Sequence, residues 1–393
     1  MNLNSIQAKE FCRMHKEVML FSAPGRTELS GNHTDHQHGR VLAAAINLET
    51  EALVSVNSEN CIYVRSNGFG ETVIDLNDLE KKANEVNTTA ALIRGIASAF
   101  QQRGEKIGGV SVYCESSVLP GSGLSSSAAF EVLIGTILNV LFCGGKYSQV
   151  EIAQIGQYAE NVYFGKPCGL MDQTACAVGN IIGIDFEDPS LPIVRKIDFD
   201  FSSTGYALCI IDSGADHADL TDEYASIPTE MRAVAGVFGK EVLRDVNPKD
   251  FYAHIREAKA AAGDRAVLRS IHFMEENERV KKQIEALDRN DFNEFLKYVR
   301  ESGRSSWMLL QNVIPSGNKA HQELALALSV AEHILGDEGA VRVHGGGFAG
   351  TLQAFVPLNK LDGFKDQMEK VLGEGKCHVL SIRPEGSILV KKL

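Results

Sequence analysis

The chain lacks several features that would assign it to a large class. No apolar run approaches the roughly 18 residues a membrane-spanning helix needs. The first 17 residues carry Lys9, Glu10, Arg13, Lys16 and Glu17, with no apolar stretch leading into a small-residue cleavage site, so a secretory signal is not expected. These absences predict a soluble, cytoplasmic protein. Charge of one sign is also scarce: 39 Lys and Arg stand against 51 Asp and Glu, a net charge of -12 without a basic tract. That balance argues against nucleic acid or an anionic membrane as main partner. The eight cysteines, at 12, 61, 114, 143, 168, 176, 209 and 377, form no C-x-x-C pair, which excludes a familiar zinc site or disulfide framework and suits reduced thiols. No fixed-period repeat or low-complexity linker interrupts the chain, and no G-x-x-x-x-G-K-[ST] loop occurs.

What remains is an ordinary globular composition, 44% hydrophobic and 23% charged, over a length that at about 150 residues per domain suggests two domains. Met19 to Ser22 and Val41 to Ile46 are apolar runs around a polar, His-rich turn. Ala52 to Val56 and Cys61 to Arg65 have strand character, and the intervening Asn57-Ser58-Glu59-Asn60 reads as a hairpin signal. Helical spacing marks Ala90 to Phe100, Ser125 to Leu141 and Val150 to Tyr163, with strands at Gly109 to Cys114 and Ile181 to Phe186. After a strand at Tyr206 to Asp212, a mostly helical stretch extends from about His217 to Leu335. Strands return at Ala340 to Val356 and His378 to Val390, around a helix at Leu361 to Leu372. The pattern predicts two interlocked α+β halves with a border near residue 200.

Three Gly- and Ser-rich segments stand out. The first, residues 23–39, packs Arg26, Asn32, three His and Asp35 into a Pro- and Gly-shaped turn. Mixed donors and acceptors at this density suit a small polyhydroxylated ligand, although a polar surface turn or a His/Asp metal site would use the same residue types. The second, Pro120-Gly121-Ser122-Gly123-Leu124-Ser125-Ser126-Ser127, leads directly into a helix. Its glycines let backbone amides approach an anion, its serines add hydroxyls, and the helix N-terminus adds partial positive charge. An acidic protein can hold polyphosphate in this way without a basic patch, whereas a simple helix cap would need only one Ser. The third, Arg342-Val343-His344-Gly345-Gly346-Gly347-Phe348-Ala349-Gly350, contains a formal G-x-G-x-x-G. It precedes the strand-like Thr351 to Val356 rather than a helix, so a Gly-rich turn beside a ligand is preferred over a dinucleotide site. Between the second and third lies Cys168-Gly169-Leu170-Met171-Asp172-Gln173, in which Asp172 is either a buried cap or a functional carboxylate.

In this order the segments resemble the GHMP small-molecule kinases, and among them the galactokinases, over nearly the whole chain. The first is similar to the signature G-R-x-N-L-I-G-E-H-T-D-Y and the second to the phosphate loop P-x-G-x-G-L-S-S-S-A. Residues 168–173 resemble C-G-I-M-D-Q, Glu223-Tyr224 the sugar-contacting E-Y, the third segment T-G-G-G-F-G-G, and residues 272–279 the helix H-x-x-x-E-x-x-R. The resemblance implies a two-domain α+β GHMP kinase fold with the active site between the domains. Residues 1–200 would form an N-terminal domain of the ribosomal protein S5 domain 2-like type, and residues 201–393 an α/β-sandwich-like C-terminal domain whose last strand could return to the first. It also implies an ATP-dependent sugar 1-kinase using ATP and Mg²⁺, with a small sugar and ATP as its partners, acting as a monomer or weak homodimer.

Asp172 would then be the base, or the group orienting O1–H, and Arg26 would hold it ionised. Asn32, His33, Thr34, Asp35, Gly169, Asp172 and Tyr224 would contact the sugar. Gly121, Ser122, Gly123, Leu124, Ser125, Ser126 and Ser127 would bind ATP, with a looser match at Ser66, and Ser127 and Glu160 would hold Mg²⁺.

The chain departs from the signature at four positions: Glu28 stands for Asn, Ser30 for Ile, Asn32 for Glu and His36 for Tyr. His344 and Ala349 differ in the third segment, and the arginines that usually follow E-Y are missing. In galactokinases the Glu matched by Asn32 accepts a hydrogen bond from the sugar's 6-hydroxyl, and an Asn there would tolerate a 6-carboxylate. Asp35-His36-Gln37 also resembles the D-H-Q of plant galacturonokinases. The resemblance therefore leads with galactose, with galacturonate or another galacto-configured sugar as alternative. A catalytically silent sugar sensor, the alternative of another class, is disfavoured by the intact Ser127-Ala128-Ala129, Asp172 and Arg26.

Overall fold

The computed structural model of the protein describes residues 1–67, 70–119, 123–215 and 220–393. One sheet takes its strands from the first half of the chain: β1 (Met19–Ser30), β2 (Arg40–Val56), β3 (Cys61–Ser66), β4 (Glu71–Asp75), β5 (Val110–Ser116), β6 (Ile181–Asp185) and β7 (Ile193–Ile197). A four-stranded antiparallel sheet follows from β8 (Tyr206–Asp212), β9 (Ala340–His344), β10 (Thr351–Pro357) and β11 (Cys377–Leu380), in the order β11-β8-β10-β9. The last strand, β12 (Ile388–Lys392), leaves that sheet and pairs antiparallel with Met19–Ser22 of β1. The first sheet thus runs β12-β1-β2-β5-β3-β4, with β6 and β7 added along the near half of β2.

The turn at 57–60 does not close a hairpin. β5 inserts between β2 and β3, antiparallel to the first and parallel to the second. A turn signal constrains only the reversal of the chain, and the apolar strand 110–116, buried at Val110, Val112, Tyr113 and Cys114, takes the position between them. The polar first segment also differs from a simple loop: β1 continues through Pro24 and Arg26 to Ser30, with pairing irregularities between Pro24 and Arg26 and between Glu28 and Ser30. Every residue of β1 after Met19 is buried, as expected of a strand covered on both faces.

Helices α1 (Ile6–Met14), α2 (Thr89–Gln102), α3 (Ser126–Phe142), α4 (Gln149–Tyr158) and α5 (Met171–Val178) accompany the first sheet. α3 is apolar nearly all round, and residues 128–139, apart from Phe130, are buried, the pattern of a helix enclosed by other elements. α4 begins with a Ser148/Glu151 capping box and passes into a π-helical turn over Ala159–Phe164, so the helix expected to reach Tyr163 changes pitch at the turn carrying Glu160. The second half contributes α6 (Thr221–Val237), the short α7 (Pro248–Ala253) and α8 (Ile255–Ala262), α9 (Asp264–Asp288), α10 (Phe292–Ser305), α11 (Glu323–Leu335) and α12 (Leu361–Leu372). One apolar core joins the first sheet to α2–α5, and a second joins the other sheet to α11 and α12.

Candidate active site

β1, the start of α5 and the β9–β10 turn converge on a cavity of about 530 Å³ lined by Arg26, Glu28, Asn32, His33, Asp35, Lys166, Gly169, Asp172, Tyr224 and Gly346, among others. At one end Arg26 grips Asp172 with two parallel hydrogen bonds, Nε to Oδ1 at 2.8 Å and Nη2 to Oδ2 at 2.6 Å. The Ser125 hydroxyl donates to the same Oδ2, and Arg26 Nη1 donates to the carbonyl of Gly123. Burial alone would raise the Asp172 carboxyl, but the Arg26 guanidinium and the Ser125 hydroxyl outweigh it and hold the group below the usual carboxylate range. Burial likewise disfavours the charge on Arg26, and Asp172 overcomes that effect and raises it. Both members are therefore charged at neutral pH.

Ser125 precedes α3 at φ 58° and makes no side-chain capping bond. Left-handed backbone costs a non-glycine residue about 1–2 kcal/mol, and here that conformation accompanies a hydroxyl directed at Asp172. The backbone N–H groups of Ser126, Ser127 and Ala128, at the open end of α3, take no partner among the described residues, leaving anion-binding donors free. Leu124 is buried, and its carbonyl accepts from Arg26 N at 3.1 Å, which ties this loop to β1. Gly121 and Ser122 lie outside the described residues.

The far side of the cavity is the signature loop, fastened from behind by α9. His272, Glu276 and Arg279 follow i, i+4, i+7 spacing and share one face of that helix. His272 Nε2 lies 3.0 Å from the carbonyl of Asn32, and Glu276 Oε1 accepts from Ser30 Oγ and Gly31 N, both at 3.0 Å, and from Ser302 Oγ at 2.6 Å. Burial would raise Glu276, yet Arg279, His272, Arg342 and Ser302 bring it down to about 2. His33 adopts φ 59°, and its Nε2 lies 2.9 Å from the carbonyl of Gly346; burial lowers it to about 4 although that hydrogen bond acts the other way. Gly169 is required by close approach, since a Cβ there would collide with the Asp35 carboxylate. Tyr224 packs on Gly346 and donates from its hydroxyl to the carbonyl of Gly347 at 2.9 Å.

Beside α3, Gln173 Nε2 joins Glu160 at 2.8 Å and Glu131 at 3.0 Å. Glu131 Oε1 is buried without a partner among the described residues, and burial together with Glu160 raises this carboxyl well above its ordinary value. Glu131 and Glu160 bring carboxylate oxygens of the kind Mg²⁺ prefers, with the Gln173 amide nitrogen between them and against Cys168 Sγ; no cluster of three or more His, Cys, Asp or Glu suited to a metal occurs among the described residues.

Several expected positions are not on the cavity wall: Thr34, Ser66, residues 123–127 and Glu160. Thr34 is fully buried, its hydroxyl donating to the carbonyls of Gly31 and Arg40, so it builds the loop. Ser66 ends β3 opposite Cys114 and is not part of the lining. Asn32 reaches the wall, but its carboxamide is occupied by Glu28, Gly345 and Asn312. Sequence reasoning missed Glu28, Asn312, Arg342 and Lys166. Only Glu28 carried a usable signal, as the mirror of the Asn32 departure; the others reach the site through tertiary packing.

Residues 8–56 match the model of the galactokinase galactose-binding signature, and residues 91–180 that of the GHMP kinase N-terminal domain. A galactokinase of Glaesserella parasuis is 33% identical over 87% of this chain and 86% of its own. One of Thermosipho africanus is 31% identical over 93% and 96%. In fold, a Lactococcus lactis galactokinase complexed with galactose superposes with a TM-score of 0.83 over 97% of this chain and 98% of its own, at 24% identity; a mevalonate kinase reaches 0.65 over 93% and 100%, at 16% identity. The chain therefore belongs to the GHMP kinases, a superfamily of phosphotransferases, and within them to the galactokinase family.

Proposed function

We propose that the protein is an ATP-dependent sugar 1-kinase that phosphorylates galactose on its anomeric hydroxyl. The observation that carries this reading is Asp172, held ionised by Arg26 and Ser125 in a cavity whose other wall is a loop of polar groups. With O1 beside it, the carboxylate orients the O1–H bond and takes its proton as O1 bonds to the γ-phosphorus and the bond from that phosphorus to the β-phosphate oxygen breaks, releasing ADP. Arg26 stabilises the charge that develops between Asp172 and the phosphoryl group. Phosphoryl transfer depends chiefly on positioning and charge neutralisation, and the free N–H groups of Ser126 to Ala128 supply donors for the phosphates. Lys166, on the cavity wall and 3.6 Å from Glu160, adds a mobile cation at the same end.

Ser127 and Glu160 would hold Mg²⁺, whose chemistry would be to neutralise charge on the polyphosphate and keep the γ-phosphate in a reactive orientation. His33, Asp35 and Tyr224 would contact the sugar, and Gly169 leaves room for Asp35. A coupled ATPase assay with galactose, galacturonate, N-acetylgalactosamine and arabinose tests the reading. ADP release dependent on galactose, with a 1-phosphate product, is the expected result. Sugar binding without turnover would overturn the kinase assignment, and a preference for another sugar would overturn the substrate.

A further inference from the structure

We propose that Glu28 is the carboxylate with which this chain reads a hydroxyl of its sugar, and that Asn32 is its positioning partner. The inference deepens the sugar-kinase reading and rests on it. The galactokinase signature has Asn and, four residues later, Glu; this chain has Glu28 and Asn32, the same two side-chain types exchanged. The exchanged side chains touch, Asn32 Nδ2 donating to Glu28 Oε1 at 3.1 Å.

The carboxamide has little left to offer a ligand. Asn32 is 1% exposed; its Nδ2 also donates to the carbonyl of Gly345 at 2.6 Å, and its Oδ1 accepts from Asn312 Nδ2 at 2.7 Å. Glu28 is different. Its Oε1 is taken by Asn32 and by the fully buried Arg342, whose Nη2 is 2.7 Å away. Its Oε2 accepts from no described residue and is not among the sealed, unpartnered atoms, and the residue lines the cavity. Arg26 and Glu28, two residues apart on β1, both line this cavity, and at about 3.3 Å of rise per residue they are separated by roughly the width of a sugar ring.

A carboxylate oxygen can only accept hydrogen bonds. A sugar hydroxyl satisfies Oε2, whereas a uronic acid brings a second acceptor-only group and leaves both unpaired. The exchange therefore relocates the carboxylate rather than removing it, and discrimination against a 6-carboxylate is retained.

The test compares KM for galactose with the inhibition constant of galacturonate in wild type, Glu28→Gln and Glu28→Asp. Gln places an N–H donor where Oε2 stood, so the ratio of inhibition constant to KM should fall about tenfold or more. Asp keeps the charge beside Arg342 but draws the carboxylate back from the cavity by one methylene, so the ratio should fall there too. A folded Glu28→Gln chain with an unchanged ratio would make Glu28 only the counter-ion of Arg342 and overturn the proposal. If that variant does not fold, Glu28→Asp decides, and an unchanged ratio there overturns it equally. A wild type that turns over no sugar sinks the kinase reading itself, which is distinguishable from an active wild type whose ratio ignores Glu28.

Discussion

Replacing Glu276 by Gln should cost this protein on the order of 3 kcal/mol at neutral pH, although the residue touches no ligand. Glu276 is fully buried, accepts from Ser30, Gly31 and Ser302 through one oxygen and pairs with Arg279 through the other. A carboxyl moved from 4.5 to about 2 binds its proton far more weakly in the folded than in the unfolded chain, and about 1.4 kcal/mol per unit gives the quoted magnitude. The folded value is depressed, so this stability is fully present above about pH 4.5 and is lost as pH falls toward 2. Gln can keep the three acceptor contacts but turns an N–H group toward Arg279, leaving a largely buried guanidinium with only the more distant carboxylates of Glu275 and Glu301, at 3.5 and 3.8 Å. Urea unfolding at a series of pH values measures the effect. The gap between wild type and variant should be largest near pH 7 and narrow steadily below pH 4.5. A gap under about 1 kcal/mol at pH 7, or one independent of pH, would refute the reasoning.

Asp172→Asn should lower kcat by about 10²–10⁴ and also lower Tm, because the buried Arg26 loses its carboxylate partner; activity of the folded variant within tenfold of wild type would remove Asp172 from its proposed role. Ser125→Gly should have opposite effects on two readouts: relief of about 1 kcal/mol of left-handed strain raises Tm, while loss of the hydroxyl on Asp172 lowers kcat. A rise in both would show that the hydroxyl serves only the backbone. Gly169→Ala should displace Asp35 and raise KM for the sugar about tenfold, with KM for ATP unchanged. Equal effects on both constants would place the damage elsewhere.

Much of the fold follows from local patterns. Helical spacing anticipated the helix at 361–372 at its observed ends, and the one expected over Ser125 to Leu141 to within a residue at each end. The family is borne out as well, because its motifs are contiguous stretches in which spacing and residue type travel together. Pairing was not legible in the same way. The hairpin expected at 57–60 opened to admit β5, since which strand lies beside which depends on apolar partners 50 residues away rather than on the turn.

The candidate site divides along the same line. The serine run could be singled out from the chain because loops that cradle anions need glycine, hydroxyls and a helix start in one contiguous piece, whereas roles for Asp172 and Arg26 came only from the resemblance to the family's motifs. That Arg26 meets Asp172, 146 positions later, is a property of β1 lying against the starts of α3 and α5. The sequence by itself determined the class of chemistry, because contiguous motifs need no folding to be read. Only the tertiary structure decided which of two neighbouring polar side chains keeps an unoccupied oxygen at the cavity. Glu28 and Asn32 sit four residues apart as near-equivalents in the sequence, and the contacts that separate them, Arg342, Asn312 and the carbonyl of Gly345, arrive from the other half of the chain.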